Sequence, residues 1–60
     1  MNMSTTDLYS QIRGHMTDFE ENHMDAVNGN KAAGRRARKA IGAIKKLATP
    51  YKQTSVAELS

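Results

Sequence analysis

Sixty residues with no cysteine, and nine Lys and Arg against six Asp and Glu, make one small domain that neither disulfides nor thiolate-bound metal can staple. A chain of this size hides only about 60% of the surface its unfolded form exposes, which leaves self-association as the remedy for a thin core. No apolar run approaches the ~20 residues of a membrane span, and the opening MNMSTTDLYS lacks the charged and apolar regions of a signal peptide, so the expectation is a cytoplasmic protein with no membrane partner.

The first predicted element is a helix over about residues 5–28. On a wheel of about 100° per residue, Leu8, Tyr9, Ile12, His15, Met16, Phe19, His23, Ala26 and Val27 share one arc, with Asp7, Asp18, Glu21 and Asp25 on the far side. Ser4 followed by Asp7 forms a capping box with Asp in place of Glu. The stop signal is Asn28-Gly29, with Gly29 free to take the left-handed conformation, and Asn30 stands ready to cap the next element.

The second predicted helix covers about residues 31–48. Ala33, Ala37, Ala40, Ile41, Ile44, Leu47, Ala48 and Tyr51 lie on one arc, while Lys31, Arg35, Arg38, Lys39, Lys45 and Lys46 lie nearly opposite and Arg36 sits at the edge. Pro50 disfavours helical geometry at Thr49, which predicts an end or kink near Ala48 and a short terminal turn or helix over about 51–58. The expected fold is therefore all-α: a single domain over residues 1–60, an antiparallel hairpin of two main helices joined at Asn28–Asn30, with a short C-terminal segment after Pro50. An alanine-rich apolar arc buries little per residue, so two hairpins are expected to share a core as a four-helix dimer, through Leu8, Ile12, Phe19, Ile41 and Ile44.

Charge is divided between the halves. Residues 1–29 hold five acids against Arg13 alone, net −4, and residues 30–60 hold eight cations against Glu58, net +7. Such asymmetry points to a polyanionic partner, or to helices that pair with each other. Three features favour the former. The exposed arc of the second helix has no acid, so i,i+4 ion pairs are missing. Lys31 and Arg35 stand at the start of the helix, against its dipole. Gly42 interrupts the cationic arc, where glycine costs up to about 1 kcal/mol relative to alanine. Phosphates offset all three: Lys31 beside free helix-start amides makes an anion site, and Gly42 leaves room for a backbone to come near. The candidate nucleic-acid-binding residues are Lys31, Arg35, Arg36, Arg38, Lys39, Lys45 and Lys46, and the expected ligand is double-stranded DNA bound largely without sequence preference, since that arc has few Asn or Gln to read base edges and no aromatic platform for single strands.

The string GNKAAGRRARKA, followed by IKKLATPYKQTSVA, resembles the bacterial linker-histone-like proteins first associated with chlamydial nucleoids. The matching features are the turn Gly29 to Ala33, the basic stretch Arg36 to Lys39, then Lys46-Leu47, Tyr51-Lys52 and Ser55-Val56, over roughly residues 7–57. The resemblance implies a DNA-associated, nucleoid-located protein, in a short form without the long Lys/Ala-rich tail of larger members. No enzyme, cofactor or small-molecule substrate is expected, because a two-helix hairpin offers no concave pocket. Nor is a metal: His15 and His23 are two turns apart rather than three or four residues, with no third ligand nearby. The rival reading is a protein–protein module whose acidic and basic faces meet in self-assembly or dock on a partner.

Overall fold

A computed structural model describes residues 4–59, which form two helices: α1, Thr5–Val27, and α2, Lys31–Leu59. They pack antiparallel into a rod with extents of 44 × 20 × 14 Å.

The signals at the helix ends act as their sequence suggests. Ser4 Oγ accepts from the Asp7 N–H at 3.1 Å, and Asp7 Oδ2 accepts from the Ser4 N–H at 3.3 Å, closing the capping box. At the other end Gly29 takes φ +107°, its N–H donating to the Ala26 carbonyl while the Asn30 N–H donates to the Asp25 carbonyl, both at 3.0 Å. That pair of bonds is the Schellman pattern, and it satisfies carbonyls the helix leaves free. Asn30 then starts α2, its Oδ1 accepting from the Ala33 N–H at 3.0 Å.

The two helices meet along a seam with alternating three- and four-residue steps. On α1 it runs Thr5, Leu8, Ile12, His15, Phe19, Asn22, Ala26; on α2 it runs Ala33, Ala37, Ala40, Ile44, Leu47, Tyr51, Thr54, and all of these are buried or half-buried. This is the 3.5-residue repeat of a coiled coil. Small residues fill the seam near the turn and let the backbones approach: a Cβ on Gly34 would stand 3.8 Å from the Ala26 Cβ. Larger residues, Ile44, Leu47 and Tyr51, widen it toward the open end. Asn22 is a polar member with both ends engaged, since Oδ1 accepts from Arg36 Nε at 2.8 Å and Nδ2 donates to the Asp18 carbonyl at 2.8 Å.

Two expectations need correction. First, α2 does not end at Ala48: it continues through Pro50 to Leu59 as one element, so the separate segment over 51–58 does not exist. Pro50 removes one N–H and leaves the Lys46 carbonyl without its i+4 donor, a cost of about 3 kcal/mol inside a helix. Its ring is exposed, and beyond it Tyr51 and Thr54 keep the seam's spacing against the start of α1. Glu58, one step further, accepts the Thr5 N–H with both carboxylate oxygens at 3.2 Å. These contacts offset the break in the ladder.

Second, the broad apolar arc read from the sequence divides in two. Among the described residues Leu8, Ala33, Ala37 and Ala40 are the buried apolar ones, whereas Tyr9 and Met16, on the predicted apolar arc, are 50% and 43% exposed, and Ile41 is 43% exposed. The core of one hairpin is thin, and an apolar stripe remains outside it.

Candidate nucleic-acid interface

The cations of α2 are placed by the seam opposite to them. Because the apolar positions repeat every 3.5 residues, residues seven apart hold the same angle to α1 along the whole rod. Lys31, Arg38, Lys45 and Lys52 are seven apart, and all four are exposed. They form one straight row, with steps of about 10.5 Å and a length of roughly 31 Å at 1.5 Å per residue. Lys39 and Lys46 make a second row beside it, and Arg35 stands between the two near the helix start.

Lys31, Arg35 and Arg38 together line a shallow open recess by the turn. Lys31 is the first residue of α2, and no acid occupies that first turn. Arg36 is drawn elsewhere: its Nε is bonded to Asn22 on α1, so it belongs to the edge of the hairpin rather than to the outward face. Among the described residues none of these cations is held in an ion pair. Six of the seven candidate residues thus share the outward face, and Arg36 flanks it.

Lys52 lies beyond the helix end expected near Ala48 and is not among the candidate residues read from the sequence. The signal that finds it is the seven-residue interval itself, which runs unbroken across Pro50. The acids of α1, Asp7, Asp18, Glu20, Glu21 and Asp25, are all exposed on the other helix and carry the opposite sign.

Between the two charged surfaces lies the apolar stripe. Tyr9 and Met16 on α1, and Ile41 on α2, each follow the inner seam position by one residue, and in an antiparallel pair those positions fall along the same edge. Half-buried Ile12, Phe19 and Ile44 lie beneath them, whereas Leu8 is 2% exposed and already committed to the interior. Arg13, the one cation of α1, is tied to this edge: its Nη1 donates to the Tyr9 hydroxyl at 3.0 Å, which raises the guanidinium pKa above its ordinary value. Phe19 and His23 stack with ring centroids 6.0 Å apart.

Among the described residues no three His, Cys, Asp or Glu side chains gather as a metal site, and no helix is long and apolar enough to cross a membrane. The outward face of α2 presents positive charge in register.

The family described as histone H1-like protein Hc1 matches residues 6–59. No curated protein and no solved structure matches the chain.

Proposed function

Since the chain belongs to the histone H1-like protein Hc1 family, we propose that it is a small nucleoid-associated DNA-binding protein that uses the outward face of α2 on the phosphates of duplex DNA. The observation that supports this most is the pair of cation rows, Lys31, Arg38, Lys45 and Lys52 beside Lys39 and Lys46, exposed and without neutralising acids. A polyanion with regularly spaced charges repays their mutual repulsion by counterion release. Binding is expected to be largely indifferent to sequence, because phosphate contacts position a protein but carry no base information.

The chain is further proposed to act as a homo-oligomer. Tyr9, Met16 and Ile41, with Ile12, Phe19 and Ile44 below them, form the face on which a second hairpin would complete a four-helix core. Leu8 has no surface left to contribute. The alternative, docking of the basic face on an acidic protein surface, draws on the same charges.

The deciding experiment is fluorescence anisotropy of a labelled random-sequence duplex at about 50 mM and about 200 mM salt. Six phosphate contacts would weaken binding on the order of a thousandfold across that range. Replacing Arg35, Arg38 and Lys39 together by Ala should remove most of the affinity while leaving helicity unchanged. Absence of binding at low salt would overturn the proposal and turn attention to a protein partner.

A further inference from the structure

Gly42 lies in the interior of α2, where glycine is the weakest ordinary helix former. The other glycines have accounts of their own or none to give. Gly29 needs its positive φ, and Gly34 faces Ala26 across the close approach of the helices. Gly14, on α1, stands in open space among no particular chemistry. Gly42 has ordinary helical φ, and a Cβ built on it would meet nothing within 4 Å. Neither backbone conformation nor packing calls for glycine there.

Its surroundings are distinctive. The residues three and four positions before it are Lys39 and Arg38; those three and four after it are Lys45 and Lys46. On a helix these are the four side chains that border a given residue, each with its Cβ about 5–6 Å away. All four are exposed cations. A residue with no side chain thus stands between four cationic positions, with bare backbone between them; Arg38 lays its Nη1 over Gly34, 3.7 Å from a Cβ built there, and turns toward Gly42 by a change of rotamer.

We propose that Gly42 is the floor of a phosphate seat, in which the backbone of a nucleic acid is held against α2 by Arg38 and Lys39 on one side and Lys45 and Lys46 on the other. The inference rests on the nucleic-acid reading above and sharpens it from a diffuse basic face to a defined contact. Removing the side chain at the centre lets one phosphate approach all four cations together, and Coulomb attraction grows as the distance shortens. An uncharged side chain at position 42 would hold the phosphate away from the helix without changing the charge.

The test sets stability against affinity. Gly42→Ala and Gly42→Leu should raise the melting temperature by about 3–8 °C, because each replaces an unfavourable helical residue. Both should nonetheless bind a labelled 20-base-pair duplex more weakly at about 100 mM salt, roughly fivefold for Ala and roughly 20-fold for Leu. Gly14→Ala, an equally open glycine on the opposite helix, should gain the same thermal stability with unchanged affinity. If both Gly42 variants bind within twofold of the parent, the seat does not exist and the cations act as a general field, with the DNA-binding reading intact. If the parent chain does not bind duplex at all, the seat and the reading fall together.

Discussion

The carboxylate of Glu58 accepts the backbone N–H of Thr5 at 3.2 Å through each oxygen, linking the last turn of α2 to the first residue of α1 across 53 positions of sequence. An acid at a helix N-terminus satisfies an orphan donor and complements the positive end of the helix dipole. Here that donor, left free by the Ser4–Asp7 capping box, is satisfied from the other helix. Glu58→Ala should therefore cost about 1 kcal/mol, with Glu58→Gln losing less, since its amide oxygen still accepts. Urea titrations followed by circular dichroism would measure both. Equal stability of all three proteins would show that the contact contributes nothing.

Pro50 gives the opposite expectation. The helix passes through it in spite of the lost N–H, so Pro50→Ala restores a donor for the Lys46 carbonyl without asking the chain to change path. Stability should rise by about 1–3 kcal/mol. A loss of stability on this substitution would mean that the proline ring makes a contact the helix depends on.

The alanines of the seam set how close the helices stand. Ala33 has no exposed surface, so Ala33→Leu should force the backbones apart and cost about 1–3 kcal/mol. Ser10 is exposed on the side of α1 away from the seam, and Ser10→Leu should lie within about 0.5 kcal/mol of the parent. Thermal melts of the pair separate crowding at the seam from a general effect of leucine.

The exposed apolar edge yields a solution prediction. Ile41→Glu places a charge on that edge but outside the hairpin's own core, so the variant should keep its helicity and sediment as a monomer while the parent sediments as a dimer or larger species. A monomeric parent would remove the proposed oligomer.

Much of this fold is legible in the sequence because its signals are local. Ser4 with Asp7, Gly29 and Asn30 each act within three or four residues of themselves, and each makes the bond its chemistry suggests. The passage through Pro50 is not local. Nothing near Thr49 announces that Tyr51 and Thr54 are half-buried or that Glu58 finds its partner at the first residue of α1, and the proline's intrinsic preference is the louder signal. Lys52 depends on the same passage, since its place in the row with Lys31, Arg38 and Lys45 requires the helix to continue through Pro50. The division of the apolar arc was obscured for a different reason. A broad arc on a helical wheel takes in both Leu8 and Tyr9, which stand about 100° apart, although a two-helix seam has width for Leu8 only. The sign and position of the cations needed no such context, as charged side chains stay where the seam is not.

The register of the seam also fixes an order of events. Ala26 and Ala33 are seven residues apart, whereas Thr5 and Glu58 enclose nearly the whole chain, and the entropy lost on closing a loop grows with the length enclosed. Pairing should therefore begin at the Asn28–Asn30 turn and advance outward, with the Glu58 bond forming last and opening first. Amide hydrogen exchange would record this as a gradient, slow in Ala33, Ala37 and Ala40 and fast in Thr54 and Ser55. In a protein with so small an interior, the end farthest from the turn is where unfolding starts.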